Sequence, residues 1–191
     1  MIRDAGLTTP DDIQRFDNIV YGEDKVWQSL DVYRPKAINI EEKLAVIVSV
    51  HGGGWVYGDK KTYQFYCMSL AQRGFAVVNF SYRLAPESKF PASIIDTNLV
   101  FGWILDHAEE YGFDTENVFA VGDSAGAHML GLYTNLCTNP KYAKGGRWTG
   151  GAPKGLLYIP SFSFAYSSGL TTVTVHCAVN PPQSAVRVVV P

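Results

Sequence analysis

Leu44-Ala45-Val46-Ile47-Val48-Ser49-Val50 is a nearly unbroken β-branched run. A run of this kind suits a strand buried on both faces of a parallel sheet, where both alternating faces must be apolar. Phe75-Ala76-Val77-Val78-Asn79-Phe80 and Val118-Phe119-Ala120-Val121 repeat the pattern. Between these runs the period changes. Thr62 to Arg73 has helical composition and stops before Gly74, a suitable C-terminal cap. Pro91 can take the first position of a helix that runs to about Tyr111, with Ile95, Leu99 and Trp103 four apart on one face and Gly112 after it. Ala125 to Cys137 reads as another helix. Strands alternating with helices of this length predict βαβ units with right-handed crossovers, and hence an α/β three-layer sandwich around a mostly parallel sheet.

Two earlier segments, Phe16 to Tyr21 and Gln28 to Tyr33, read as an antiparallel strand pair. The second alternates polar and apolar residues and stops at Pro35, which predicts a half-exposed edge. Past Tyr142 the rhythm ends. Gly145-Gly146, Gly150-Gly151 and scattered prolines interrupt every candidate helix. Gly155 to Ile159 reads as one more strand, and Thr171 to Val179 and Ala185 to Val190 have β-favouring composition without a helix between them. The expected organisation is therefore a domain portion over residues 1–142 and an atypical tail over 143–191.

Charge sharpens that boundary. All 18 Asp and Glu lie at or before position 123, whereas five of the 16 Lys and Arg lie after it. The first 123 residues thus carry −7 and the last 68 carry +5. An even spread would put about six acids in the last stretch. Over the whole chain of 191 residues, 47% hydrophobic and 18% charged residues supply one sizeable core and exclude global disorder. A net charge of −2 leaves no basic footprint, so no nucleic-acid partner is expected. No apolar stretch reaches the roughly 18–20 residues of a membrane span, and the N-terminus lacks an apolar signal core. Three cysteines, Cys67, Cys137 and Cys177, argue against a disulfide scaffold and for a reducing, cytoplasmic compartment. No His/Cys/Asp cluster has metal-ligand spacing, and neither a metal nor another cofactor is expected.

Two motifs carry chemistry. Gly122-Asp123-Ser124-Ala125-Gly126 stands between a buried strand and a helix. A sharp strand-to-helix turn needs glycine two residues either side of the serine, and it lifts the hydroxyl above the sheet at a helix N-terminus. His51-Gly52-Gly53-Gly54-Trp55 directly follows the strand ending at Val50. Consecutive glycines leave backbone N–H groups unshielded, able to face a developing oxyanion. A phosphate-cradling loop of the Walker type would need Gly-Lys-Ser/Thr next, and Trp55-Val56-Tyr57 does not supply it.

With these motifs, and with Ser81-Tyr82-Arg83-Leu84-Ala85-Pro86-Glu87, Phe90-Pro91-Ala92 and Asp96 between them, residues 15 to 142 resemble α/β-hydrolase esterases of the hormone-sensitive-lipase-like and bacterial acetyl-esterase type. The resemblance implies ester hydrolysis by a Ser–His–Asp triad. Ser124 would be the nucleophile, and the backbone N–H groups of Gly52, Gly53 and Ala125 would form the oxyanion hole. In that fold the acid and histidine follow the serine. No Asp or Glu follows Ser124, and the only downstream histidines are His128 and His176. His128, four residues on along the helix, is expected to pack structurally. His176 stands in Thr174-Val175-His176-Cys177, which does not resemble the family.

The acid-free tail reads as translation of an unrelated frame, with the C-terminal strands and helices of the fold missing. His51 and Asp123 are expected to brace loops, Asp96 and Glu87 to hold loops by hydrogen bonds, and His107 to face solvent near a helix end. Trp55 and Tyr57 either line an acyl or alcohol pocket or pack inside. The small-molecule partner implied is an ester of a small acyl group. The alternative reading is a catalytically inactive hydrolase-like fragment or binding module, and a serine peptidase on the same fold is a third. An unpaired sheet edge and an uncovered apolar face are expected to promote self-association.

Overall fold

Six strands form one sheet in the order β1-β2-β4-β3-β5-β6. They are β1 (Ile13–Val20), β2 (Ser29–Pro35), β3 (Leu44–Val50), β4 (Ala76–Phe80), β5 (Phe113–Asp123) and β6 (Gly155–Ile159). The structure, a computed structural model, describes residue 4, residues 6–138 and the backbone of 155–159. β3, β4, β5 and β6 pair in parallel, whereas β1 and β2 run antiparallel to their neighbours. The helices are α1 (Gln64–Ala71), α2 (Ala92–Asp106), α3 (Ala108–Tyr111) and α4 (Ala125–Thr138), with a 3-10 turn at Lys60–Tyr63 ahead of α1.

Strand alternation divides the core into two. Val46, Val48 and Val50 of β3 point to the face shared with Ile94, Phe101 and Ile104 of α2 and Met129 and Tyr133 of α4. Ile47 and Val77 point the other way, onto Cys67, Met68 and Ala71 of α1. A sheet clothed on both faces explains why β3 and β4 read as continuous apolar runs. The expected three-layer α/β architecture is thus present.

Three local expectations are corrected. β2 is not an edge: it lies between β1 and β4 and is buried along almost its whole length. Its polar positions are covered because Asp31 meets Lys60 at 2.5 Å and Arg34 donates to the carbonyls of Tyr111 and Gly112 at 2.6 and 2.8 Å. β1 is the outer strand instead, and a register shift between Phe16 and Ile19 interrupts it. Helix α2 follows the predicted stripe only in part. Trp103 is buried, but Ile95 and Leu99 are exposed, while Ile94, Asp96, Thr97, Val100 and Phe101 are buried. Asp96 sets the buried side, because its carboxylate pairs with Arg83 and accepts from Gln28 at 2.6 Å. The helix also starts one residue later, with Pro91 in the cap position, and breaks at His107 before α3. His107 does not face solvent alone: its ring stacks on Trp103 at 4.5 Å, and its Nδ1 bonds the Trp103 carbonyl. Gly112, with φ of +60°, closes α3 as expected. The readings for Thr171 to Val179, Ala185 to Val190, His176 and Cys177 lie outside the described residues.

Candidate active site

β3 and β5 are neighbours, and Val50 pairs with Gly122 in parallel register. The two glycine motifs therefore leave the sheet side by side, at the carboxyl ends of their strands, where open α/β sheets place their ligand sites. Ser124 stands between the last residue of β5 and the first of α4, with φ of +48°. A serine in this left-handed region is strained by about 1–2 kcal/mol. The turn is held by close packing. A Cβ on Gly126 would lie 2.1 Å from the Val50 carbonyl oxygen, and one on Gly122 would lie 2.8 Å from the backbone of Gly126. Only glycine fits either place. Ser124 itself is half-exposed, and Ala125 opens α4, so its N–H belongs to the first-turn donors that lack intrahelical partners.

The loop from His51 is held differently. His51 is fully buried, stacks on Tyr82 at 4.1 Å, and lies 2.7 Å through Nδ1 from the Gly52 carbonyl. A carbonyl only accepts, so Nδ1 carries the proton and Nε2, buried without a partner among the described residues, is bare. Burial lowers the His51 pKa and keeps the ring neutral. The Tyr82 hydroxyl donates to the His51 carbonyl at 2.9 Å. Burial raises the pKa of that hydroxyl, which secures its proton. Gly52 N–H donates to Asp123 Oδ1 at 2.9 Å. Beyond this base the chain turns outward through Gly53 (φ +125°), Gly54 (φ +58°) and Trp55 (φ +64°). No acceptor among the described residues takes the N–H of Gly53 or Gly54.

These contacts sort the expected site residues. Ser124 and Ala125 stand at the junction of β5 and α4, and Gly53 follows Gly52 in the loop that leaves the adjacent strand β3. Gly52 is adjacent, yet its N–H is committed to Asp123, so it is not an open oxyanion donor. The sequence marks three glycines in a row but not which amide is occupied. Asp123 braces the loop as expected, and His51 does too. His128 departs from its expected packing: it is exposed, and its ring meets the edge of Trp55 at 5.4 Å. Among the described residues no imidazole accepts a hydrogen bond from the Ser124 hydroxyl. Trp55 and Tyr57 are exposed, at 40% and 69%, which leaves the pocket-lining alternative and removes the buried one. Tyr57 borders an open hollow of about 770 Å3 with Trp27, Leu84, Asp59 and Glu87. Glu87 is exposed there rather than fastening a loop.

Two buried charge networks support the site from below; the sequence marks Asp96 in one of them and gives little sign of the other. Lys60 Nζ reaches Asp31 and Asn18, while Lys60 N–H donates to Ser81. This ties the end of the glycine loop to β1 and β2. Arg83 forks onto Asp96 through Nε and Nη2, and Arg83 N–H donates to the same carboxylate at 2.8 Å. Removing one member of such a pair strands a buried charge, which is why both members must be present. Asp96 thus holds a loop by hydrogen bonds, as expected.

A strained serine between a parallel strand and a helix, opposed by a glycine-rich turn from the next strand, defines an α/β-hydrolase. The family model described as BD-FAE matches residues 30–146, and the chain belongs to that family. Among curated relatives, the probable carboxylic ester hydrolase LipM of Mycobacterium tuberculosis is 31% identical over 67% of this chain and 30% of its own length. The ethyl acetate hydrolase of Pseudomonas putida is 33% identical over 54% of this chain and 33% of its own. The crystal structure of inhibited esterase B from Lactobacillus rhamnosis superposes with a TM-score of 0.67 at 31% identity, covering 73% of this chain and 45% of that one. The chain spans about a third of the length of the curated relatives it matches. Its relatives are carboxylic ester hydrolases and esterases on an α/β-hydrolase fold. No described helix is long and apolar enough to cross a membrane.

Proposed function

We propose that this chain carries the nucleophile and oxyanion side of a serine carboxylic-ester hydrolase acting on small acyl esters. The observation that carries the reading is the left-handed Ser124 directly after Asp123, whose carboxylate takes the Gly52 N–H just ahead of two uncommitted glycine amides. Ser124 Oγ attacks the ester carbonyl, and the resulting oxyanion is met by the N–H groups of Gly53 and Ala125, with Gly54 next to them; collapse of this intermediate breaks the ester C–O bond, and the alcohol leaves with the proton given up by the serine hydroxyl. Each such donor contributes a factor of about 10²–10³ in rate. Water then deacylates the serine. The partner is a small-molecule ester, and the unpaired thiols of Cys67 and Cys137 support a reducing, cytoplasmic setting.

One observation favours a second reading, a hydrolase-like module without turnover: residues 125–191 contain no carboxylate that could orient a histidine. Fluorophosphonate labelling with hydrolysis of a short-chain aryl ester separates the two. Labelling that disappears in Ser124→Ala, together with turnover, establishes the esterase. Labelling no faster than that of Ser124→Ala removes it and leaves the non-catalytic module.

A further inference from the structure

We propose that Asp123 is a positioning residue, a carboxylate clamp that sets where the free amides of Gly53 and Gly54 sit relative to Ser124. The part of this inference that concerns reactivity rests on the esterase reading; the clamp itself does not. Asp123 is the last residue of β5, so its backbone is fixed by pairing with the sheet, and it directly precedes the nucleophile. Its Oδ1 takes the Gly52 N–H at 2.9 Å. Its Oδ2 fills the space that a side chain at position 52 would need, only 2.5 Å from a Cβ there. A single short side chain thus links the strand bearing the serine to the loop bearing the donors.

The other fastenings of the loop act elsewhere. Tyr82 holds the His51 carbonyl, on the same peptide group as the Gly52 N–H but pointing the opposite way, and the His51 ring holds the Gly52 carbonyl one peptide further on. Neither refers the loop to β5. The bond from Asp123 is the one described side-chain contact that does, and the next two residues are the unshielded amides. A carboxylate is a stronger acceptor for N–H than a neutral oxygen. Geometry requires only an oxygen at that point, however, so an amide side chain should hold the loop nearly as well.

Amide exchange and labelling test this on the full chain, with Asp123→Ala, Asp123→Asn and Asp123→Glu. In Asp123→Ala the Gly52 amide should exchange about 10–100-fold faster and the Gly53 and Gly54 amide resonances should move. Asp123→Asn should stay within about threefold of the parent in exchange, because its Oδ1 still accepts. Phosphonate labelling of Ser124 should fall about tenfold or more in Asp123→Ala and recover in Asp123→Asn. Asp123→Glu keeps the charge but adds a methylene, so it should displace the loop and label slowly; it decides the matter should the alanine variant not fold. Unchanged Gly52 exchange in Asp123→Ala overturns the clamp, as does parental behaviour of Asp123→Glu. Faster exchange with unaltered labelling and unmoved Gly53 and Gly54 resonances reduces Asp123 to a structural role and overturns positioning. A parent that does not label at all refutes the esterase reading, while the exchange and resonance data still decide the clamp.

Discussion

The elbow at Ser124 and the loop at Gly52 to Trp55 face each other, and they are held by opposite means. The elbow is fixed by steric closeness: Gly126 lies against the Val50 carbonyl, and the serine accepts a left-handed backbone to fit. The loop is fixed by hydrogen bonds at its base, to Asp123, Tyr82 and the His51 ring, and its tip stands in solvent. Packing cannot be adjusted by fractions of an ångström, whereas a hydrogen-bonded loop can shift and re-form. The nucleophile is therefore the rigid partner and the glycine donors are the adjustable one.

Glycine-to-alanine changes separate these two regimes most sharply. Gly126→Ala drives a methyl into the β3 backbone inside the core and should destabilise the chain by about 3 kcal/mol. Gly53→Ala meets a contact just as short, at the Tyr57 carbonyl, and an unfavourable φ. The exposed tip can move, so the loss should be nearer 1–2 kcal/mol. Urea midpoints measure both; equal losses would show that the loop is as rigid as the elbow.

The next effect is smaller and opposite in sign. Ser124→Gly relieves the left-handed strain of about 1–2 kcal/mol and adds about 0.5–1 kcal/mol of unfolded-chain entropy. A net gain of about 0.5–1 kcal/mol is expected, with labelling abolished. A destabilised Ser124→Gly would mean that the elbow holds no strain.

Acid probes the base of the loop. Burial lowers the His51 pKa from its ordinary 6.5, so the unfolded chain binds a proton there that the folded chain refuses. The contribution of this site to stability is complete above about pH 6.5 and shrinks as the pH falls toward the depressed value. A protonated ring would also present a buried Nε2–H with no acceptor among the described residues. Urea midpoints measured between about pH 7.5 and 5.5 should fall less in His51→Gln than in the parent. Identical slopes would place the pH sensitivity elsewhere.

The fold's outline was legible because buried parallel strands leave an unmistakable record, as β3 and β4 do. What was hidden depends on partners far along the chain. The alternation in Gln28 to Tyr33 predicted an edge, yet Asp31 and Arg34 are polar residues drawn inward by Lys60 and by the carbonyls that end α3. Of the apolar spacing Ile95, Leu99 and Trp103, only Trp103 turns in; Ile95 and Leu99 stay out because the side of α2 that carries Asp96 and its pairing with Arg83 is the one buried. At the site, residue types identified the serine and the glycine turn. Which amides remained open was decided by one side chain 71 positions away from Gly52, and no local pattern records that. The outer strand β1 carries a register shift, Asn18 with φ of +58°, and the Arg15–Asp17 pair, none of which the sequence marks.

Val50 and Gly122 are partners across one ladder, and that single fact frees the rest of the chain. The distance between hydroxyl and amides is written in the lateral spacing of two strands, not in the length of what joins them. Exposed stretches of the crossovers between the glycine turn and β5, away from Lys60, Tyr82, Arg83 and Asp96, can lengthen, shorten or exchange residues without disturbing it. Substrate preference could therefore diversify in those crossovers while the reacting centre stays inherited intact.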